Sequence, residues 1–397
     1  MSGPIPLESL LSHPANGAGP RAVAPVPSIS PGSPGAEVIE LPVGPPVSVD
    51  DYLALAPRGM WSKKWRLLRA YLTGQPVWIT WQVTYNCNYG CSFCTYWQND
   101  FKPEEENSLQ DFAIGSAKLS ELGSLIVSLA GGEPMLRRDI HLIVGILAQD
   151  HFPYLTTSGS GMTPKRARQL WEAGLWGCSV SIDYADPDKH AQHRGVKFAF
   201  ERAVKAIEQL MENRSDTSYQ RVQIISVLTD DNLQEMPALC RLARDLGVYW
   251  QVQPYSVMKT GNERQRHLVG ATEMLLGLKE SYPETVHSNR VYLEKFDKAA
   301  NDGIEGCIAG KAMFNIDNRM VVSKCVEFNE SEPVGNLRTD SMQHVLRGLR
   351  AAHAANTCSA CWYSCRGEVE VLYSARGFVN SVPSLLWQSG GEQARTG

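Results

Sequence analysis

The sequence predicts an α/β fold built on a parallel, barrel-like sheet, and two observations support this prediction. Between residues 77 and 252, six short runs rich in β-branched and aromatic residues alternate with helical segments, a pattern typical of parallel strands joined by helical crossovers. Three clustered cysteines follow the first of these runs, at the carboxyl end of a strand, where such folds place their chemistry.

Composition limits the classes of protein to which the chain can belong. Its 397 residues, 43% of them hydrophobic, suffice for a core of one or two domains. A net charge of -4 gives no indication of a nucleic-acid partner. No apolar run approaches the roughly 18 residues that span a bilayer, and the amino terminus does not resemble an export signal. We therefore expect a protein without a membrane span.

The chain contains ten cysteines, and eight of them fall into two groups. Such grouping in a chain of this size is typical of metal ligands rather than of disulfides. Because thiolates that ligate a metal need a reducing compartment, we expect a cytoplasmic location. The two remaining cysteines, Cys178 and Cys240, fall within a predicted strand and a predicted helix, and we expect both to lie in the core.

The predicted elements follow in chain order. Residues 1–47 are rich in Pro and Gly without apolar periodicity and are expected to be disordered. Residues 48–76 form a helical lead-in with one helix over 49–73. Strands are predicted over 77–85, 125–129, 154–157, 177–182, 221–228 and 248–252. Helices are predicted over about 108–122, with Asn107 or Ser108 as cap, 138–150, 164–173, with Thr163 and Pro164 opening it, 198–213 and 233–246.

The first cysteine group has the spacing C-x3-C-x2-C, formed by Cys87, Cys91 and Cys94. Three thiolates are one fewer than a closed four-iron cluster or a structural zinc site requires. The missing ligand would leave an open coordination position for a substrate or cofactor. The alternative is a zinc knuckle or another structural cysteine cluster.

With Phe93 as the aromatic of C-x3-C-x-(aromatic)-C, the chain resembles the radical S-adenosylmethionine (radical SAM) superfamily. The resemblance implies a partial (β/α)6 TIM-like barrel over residues 77–270. It also implies that the three cysteines bind a 4Fe-4S cluster whose fourth iron is chelated by S-adenosylmethionine. One electron from such a cluster releases a 5′-deoxyadenosyl radical, so the protein supplies position and shielding.

The same resemblance implies where S-adenosylmethionine is held. The motif Gly131-Gly132-Glu133-Pro134 follows the second strand, and we expect Gly132 and Glu133 to contact the methionyl amino group. The other residues expected to bind the cofactor follow later strands and are Ser158, Ser181, Asp183 and Arg194, with Asn232 as a further match. The alternatives are an ordinary turn and solvated loop residues.

The second cysteine group lies within residues 271–377. A hairpin over 313–322, with its turn at Asp317-Asn318, would return one cysteine next to another, and a CxxC pair would complete four ligands. The expected ligands are Cys307, Cys325, Cys358 and Cys361, with Cys365 as a possible replacement for Cys361. This module resembles the twitch and SPASM extensions of radical SAM enzymes, and five cysteines favour a single auxiliary 4Fe-4S cluster. A structural zinc site is the alternative.

Two smaller predictions concern the end of the chain. We expect a strand over residues 366–375 to close the cysteine-rich module. The segment 378–397 is rich in Gly, Ser and Gln and is expected to be a flexible tail.

These features predict an enzyme that cleaves S-adenosylmethionine and abstracts hydrogen from a small biosynthetic molecule, with net oxidation assisted by the auxiliary cluster. The Pro-rich residues 1–47 cannot form a winged-helix peptide-recognition domain, which favours the small molecule. The alternatives are a maturase of ribosomally made peptides and a non-catalytic iron–sulfur or zinc scaffold. An external electron donor such as a flavodoxin or ferredoxin is expected.

Overall fold

A computed structural model describes residues 48–374, except residues 55, 100, 217–218, 262–267 and 329–330. The predictions for residues 1–47 and 378–397 lie outside this part of the chain. The polar sequence of the loop 256–270 predicts either a contact with substrate or a connection to the next module, and residues 262–267 of this loop also lie outside the described part.

The nine described strands form one sheet in the order β6-β5-β4-β3-β2-β1-β7-β8-β9. Strands β1 to β7 pair in parallel, and the last two pairings are antiparallel. The strands are β1 Trp78–Thr84, β2 Ile126–Gly131, β3 Phe152–Thr157, β4 Gly177–Ser181, β5 Arg221–Leu228, β6 Tyr249–Pro254, β7 Met313–Ile316, β8 Val321–Ser323 and β9 Pro333–Asn336. The α/β fold with a mainly parallel sheet is confirmed, and so are all six predicted barrel strands.

The helices lie between and beside these strands. They are α1 Val49–Ala54, α2 Met60–Leu72, α3 Leu109–Ser120, α4 Ile140–Ala148, α5 Pro164–Glu172, α6 Pro187–Arg194, α7 Ala199–Glu212, α8 Met236–Asp245, α9 Ala271–Ser281, α10 Arg290–Leu293, α11 Phe296–Asn301, α12 Met342–Ala354 and α13 Ser364–Leu372. Ser108 caps α3 and Thr163 caps α5 through side-chain oxygens, as predicted. Within the described part of the chain, every helix is too short or too polar to span a bilayer.

Two predicted elements differ from the structure. The single helix over 49–73 is two helices, because Pro57 interrupts the segment between α1 and α2. The predicted strand over 366–375 is wrong, since residues 364–372 form α13. Its alternating Glu-Val sequence suggests a strand, but Gly367 packs against Tyr292 so closely that a Cβ there would lie 2.2 Å from the Tyr292 ring. The 2.7 Å ion pair between Arg366 and Glu370, one helical turn apart, also favours the helix.

The hairpin predicted over 313–322 is present as β7 and β8. Strand β7 lies beside β1, with Trp78 opposite Met313. The region that bears the second cysteine group therefore continues the sheet of the barrel. It adjoins β1, the strand that leads into the first cysteine group.

The two faces of the sheet differ in polarity. On β1, Ile79, Trp81 and Val83 are fully buried, and Trp81 packs on Phe112 of α3. The alternate residues Thr80 and Gln82 line an internal cavity. Apolar packing against the helices thus stabilises the fold, while the inner face of the sheet is left for polar contacts.

Candidate functional site

The loop that bears Cys87, Cys91 and Cys94 leaves the carboxyl end of β1 and is packed directly on the Gly131-Gly132 backbone. Gly131 has φ +124°, and a Cβ on Gly132 would lie 2.1 Å from the carbonyl oxygen of Asn86. The amides of Gly132 and Glu133 donate to the carbonyl oxygens of Thr84 and Asn86, each over 2.8 Å. Both glycines are therefore required for close approach to the start of the cysteine loop.

Glu133 joins the ends of β2 and β3. Its buried carboxylate accepts hydrogen bonds from the Met135 amide (2.9 Å), the Thr157 hydroxyl (2.6 Å) and both the amide (2.7 Å) and the hydroxyl (2.6 Å) of Ser158. These four bonds hold together the two loops for which the family resemblance implies contacts with S-adenosylmethionine. Ser158 is thus positioned by Glu133, and the cofactor contact predicted for either residue stays a prediction.

The far side of the cysteine loop is held by the end of α6, an element that the sequence analysis did not predict. The amides of Gly90 and Ser92 each donate to a backbone oxygen, of Arg194 and His193 respectively, over 3.2 Å. Gly195 ends the helix with φ +69°, and a Cβ there would lie 2.7 Å from the carbonyl oxygen of Gly90. This contact explains why glycine follows Arg194.

Arg194 connects the cysteine loop to the end of β4. One guanidinium nitrogen lies 2.6 Å from the fully buried carboxylate of Asp183, and another lies 3.9 Å from the sulfur of Cys91. The guanidinium also lies 5.0 Å from the centre of the Phe93 ring, which stacks on His193 at 4.6 Å. Asp183, Phe93 and Arg194, singled out separately in the sequence, therefore form one contact network.

Asp183 is ionised within this network. Burial alone would raise the pKa of its carboxyl, but Arg194 and His193 hold that pKa below its usual value. Its Oδ1 accepts from the Val227 amide over 2.8 Å, and Asn232 donates to its backbone oxygen over 3.2 Å. Asn232 thus joins β4 to β5. The remaining predicted residues, Pro134 and Ser181, lie at the ends of β2 and β4 on the same edge of the sheet.

The first cysteine group lies in a largely apolar setting. Burial raises the pKa of the Cys87 thiol to about 11 and raises that of Cys91, where Arg194 opposes the effect. Thiolates there need a compensating positive charge, and a bound metal centre supplies one. Among the described residues, no three His, Cys, Asp or Glu side chains converge closely enough to hold a single metal ion. A four-iron cubane is larger than one ion, so its ligands need not converge on one point.

The C-terminal cysteines lie in a second buried region. Cys307 and Cys325 belong to one small apolar cluster, and Cys365 packs against it. Asn356 donates to the carbonyl oxygen of Cys307 (3.1 Å) and accepts from the amide of Cys358 (3.2 Å), so these two segments are held together. Burial raises the pKa of Cys361 to about 12. The structure thus gathers both Cys361 and Cys365 here and leaves open which of them is a ligand.

A polar network that the sequence did not reveal lies between the two cysteine groups. Lys259 Nζ is 3.0 Å from Glu327 Oε1, which also accepts from the Tyr363 hydroxyl over 3.1 Å, and Lys259 lies 4.5 Å from the centre of the Tyr96 ring. Burial alone would lower the pKa of Lys259, but Glu327, Cys94 and Cys325 hold it above its usual value. These residues are distant in sequence and belong to no motif, so only the fold reveals the network.

One cavity of about 840 Å³ adjoins both cysteine groups. Its wall includes Cys94, Tyr96, Lys259, Tyr363 and Cys365. The cavity continues through the interior of the barrel toward the amino ends of the strands. One cysteine of each group, Cys94 and Cys365, therefore faces a single space that can hold a substrate.

The two remaining cysteines lie in the core, as predicted. Cys178 on β4 and Cys240 in α8 are both fully buried within the main apolar cluster. Neither of them lines the cavity.

Residues 81–243 match the model of the radical SAM superfamily. The AdoMet-dependent heme synthase of Oleidesulfovibrio alaskensis is 30% identical over 189 residues, which cover 47% of this chain and 47% of that protein. The chain thus spans about half the length of this relative. Mycofactocin maturase MftC of Mycolicibacterium smegmatis is 25% identical over 309 residues, 74% of this chain and 77% of that protein.

Two solved structures share the fold. SuiB of Streptococcus suis, bound to S-adenosylmethionine, has a TM-score of 0.57 at 16% identity and covers 76% of this chain and 75% of its own. The structure of anSMEcpe with bound AdoMet and a peptide has a TM-score of 0.55 at 13% identity and covers 78% of this chain and 99% of its own. Both likenesses extend well beyond residues 81–243 and agree with the α/β barrel described above.

Proposed function

We propose that this chain, which contains a radical SAM superfamily domain over residues 81–243, is a radical SAM maturase that oxidises a peptide. The observation on which this proposal rests is that both cysteine groups adjoin one cavity. Mycofactocin maturase MftC aligns over about three quarters of this chain. SuiB, which shares the fold, has also been solved with its precursor peptide SuiA.

The first cysteine group is the proposed site of the 4Fe-4S cluster that binds S-adenosylmethionine. Cys87, Cys91 and Cys94 would hold it, and the donor set fits, since three soft thiolates share one loop that other backbone segments hold on both sides. When bound, the cluster and S-adenosylmethionine supply a 5′-deoxyadenosyl radical.

The chain's own residues would position and shield this cofactor. The Gly131-Gly132-Glu133-Pro134 loop, Ser158 and Ser181 lie at the edge of the sheet from which the cysteine loop emerges. Phe93 and Arg194 cover the loop from the other side and keep water from Cys91. Glu133 holds two of the surrounding loops at a fixed separation through its four hydrogen bonds.

The second cysteine group is the proposed site of one auxiliary 4Fe-4S cluster. Cys307, Cys325 and Cys358 would ligate it together with Cys361 or Cys365, and the buried, sulfur-rich setting suits that group. When bound, this cluster would accept the electron that the oxidation of the substrate releases, and a proton is released with that electron. Glu327 Oε1, which faces Lys259 and Tyr363 between the two groups, can accept this proton.

A small molecule, the substrate expected from the sequence, is the second candidate. The cavity volume of about 840 Å³ lies within the range of small-ligand sites. Mycofactocin maturase MftC, however, aligns over 74% of this chain and the heme synthase over only 47%, and the solved structures SuiB and anSMEcpe, which share the fold, have been determined with bound peptides. We therefore place the peptide first. Because the proposed clusters need a reducing setting, we also propose a cytoplasmic location and a flavodoxin or ferredoxin as the electron donor.

The test uses the full chain reconstituted with iron and sulfide without oxygen, supplied with S-adenosylmethionine and a reductant. Short peptides encoded beside its gene are added singly, and peptide mass and 5′-deoxyadenosine are measured. The proposal predicts that one peptide loses mass while deoxyadenosine accumulates. Deoxyadenosine formation that responds only to small metabolites would overturn the peptide assignment, and its absence under all conditions would overturn the whole proposal.

A further inference from the structure

The interior of the barrel carries polar side chains from several strands beside aromatic and aliphatic ones, whereas bulky apolar residues usually fill such barrels. Residues from four adjacent strands form a chain of hydrogen bonds around it. The Tyr154 hydroxyl bonds to Ser179 over 2.6 Å, and Gln223 donates to Ser179 over 2.9 Å and to Gln251 over 2.6 Å. All four residues line the cavity. This part of the wall offers hydrogen bonds to polar groups of a ligand.

Arg221 lines the cavity at the end opposite the cysteine loop. It is the first residue of β5, and its guanidinium lies 4.9 Å from the centre of the Trp176 ring, which also lines the cavity. Among the described residues, no Asp or Glu forms an ion pair with Arg221. Burial lowers the pKa of its guanidinium, and of the neighbouring groups only tyrosines oppose this effect. Partial removal of a cation from water costs free energy when no carboxylate pairs with it. A ligand that carries a negative charge would offset this cost.

The other charged groups at this end of the cavity do not compensate Arg221. Glu284 and Glu368 both interact with Lys279, and Glu368 also accepts from the Asn289 amide. Burial lowers the pKa of His287 to about 4, so this side chain is neutral near pH 7. The contact with the Trp176 ring can orient the guanidinium, and a guanidinium pairs well with a planar, two-oxygen acceptor.

Strand β5 joins this end of the cavity to the cysteine loop. Val227 packs against the cluster that contains Cys91 and Phe93, and it lines the same cavity as Arg221. At about 3.3 Å per residue, the six steps from Arg221 to Val227 span about 20 Å. A ligand that meets Arg221 and also reaches the cysteine loop must therefore be elongated, as a peptide of several residues is.

We propose that Arg221 is a binding site for a carboxylate of the substrate peptide and holds it while another part of the peptide lies at the cysteine loop. This inference rests on the proposed function and deepens it. The carboxylate belongs either to the C-terminus of the peptide or to an acidic side chain. Pairing with Arg221 sets which residue of the peptide reaches the reactive end of the cavity.

The test measures peptide binding to the reconstituted full chain by saturation-transfer NMR titration. Three acetylated hexapeptides of alternating Ala and Gly serve as probes. The first has a free C-terminal carboxylate, the second a C-terminal amide, and the third a C-terminal amide with one Glu in place of Ala. The proposal predicts that the first or the third binds at least about tenfold more tightly than the second, as a charge-assisted pair requires. The tighter of these two identifies the source of the carboxylate.

Variants assign the effect to Arg221. Arg221→Gln should reduce both acidic peptides to the affinity of the amide, and Arg221→Lys should retain an intermediate preference. Lys64→Gln removes a nearby positive charge that does not line the cavity and should reduce the preference far less than Arg221→Gln does. Equal binding of all three peptides, or an undiminished preference in Arg221→Gln, would overturn the proposal. Cleavage of S-adenosylmethionine without peptide is measured in parallel. If the unsubstituted protein does not cleave it, the proposed function itself is refuted.

Discussion

The guanidinium of Arg194 lies 2.6 Å from the carboxylate of Asp183, which is fully buried, and 3.9 Å from the sulfur of Cys91. The sequence places these residues on separate segments. In the fold, the ion pair joins the end of β4 to the cysteine loop. The stability of the proposed cluster site thus depends on a charge pair that water does not reach.

Replacing Asp183 should destabilise the protein. Asp183→Asn leaves the Arg194 cation without its partner, and breaking a buried pair costs about 3–5 kcal/mol. We expect a large fall in the midpoint of denaturant unfolding and a loss of bound iron. Asp245→Asn removes the partner of Arg244 from an exposed pair, so it serves as the control and should cost less than about 1 kcal/mol. Equal effects of the two substitutions would contradict this account of the Asp183 pair.

The first cysteine group should be essential for cofactor cleavage. Cys94→Ala removes one of three proposed thiolate ligands, so 5′-deoxyadenosine formation should fall to background. Cys240→Ala removes a buried thiol from α8 and should leave cleavage intact while costing some stability. Undiminished cleavage by the Cys94→Ala protein, measured by chromatography, would refute the assignment of this group.

The second cysteine group should be dispensable for cleavage but not for product. In Cys307→Ala we expect iron to fall from about eight to about four per chain, as loss of one four-iron cluster requires. Formation of 5′-deoxyadenosine should persist while the product changes. Comparing Cys361→Ala with Cys365→Ala by iron content then identifies the fourth ligand. An unchanged iron content in all three variants would refute the proposal of an auxiliary cluster at these cysteines.

Glu327 should affect the product more than the cleavage. Glu327→Gln removes the carboxylate that faces Lys259 and Tyr363 between the cysteine groups. Loss of a positioned base typically costs a factor of about 10²–10⁴, so product formation should fall while deoxyadenosine forms at a similar rate. Glu332→Gln alters an ion pair at Lys324 and is the matched control. If Glu327→Gln forms product at the unsubstituted rate, Glu327 is not the proton acceptor.

Glu368 should make stability depend on pH. Burial raises the pKa of its carboxyl to about 7, above its value in the unfolded chain, so the folded state binds a proton more tightly. Stability should therefore fall as pH rises from about 4.5 to about 7. Glu368→Gln should remove this fall and stabilise the protein at pH 8 by up to about 3 kcal/mol, with little effect at pH 4.5. Parallel unfolding curves for both proteins across this range would show that the carboxyl is not perturbed.

The strands and the cysteine spacing could be predicted because each depends on local sequence. Six strands were found from runs such as residues 221–228, and the caps Ser108 and Thr163 from their side-chain chemistry. Helix α6 was missed, although Asp186 caps it and Gly195 ends it, because its residues are polar and show no apolar periodicity. The strand predicted over 366–375 failed because packing of Gly367 on Tyr292 outweighed the alternating pattern.

The contacts that define the site could not be predicted, because they join distant residues. Glu133 was expected to face a ligand ammonium, yet its four hydrogen bonds go to the loops after β2 and β3. Lys259 and Glu327 belong to no motif and meet only through the fold. Arg221 opens a strand and looks like an ordinary surface residue until the cavity beside it is seen.

The most direct measurement combines iron and sulfide analysis of the anaerobically reconstituted protein with an assay for 5′-deoxyadenosine after S-adenosylmethionine and a reductant are added. The account predicts about eight irons and about eight sulfides per chain, two four-iron clusters, together with deoxyadenosine formation. Zinc in place of iron with no deoxyadenosine would contradict it and would identify a structural metal protein.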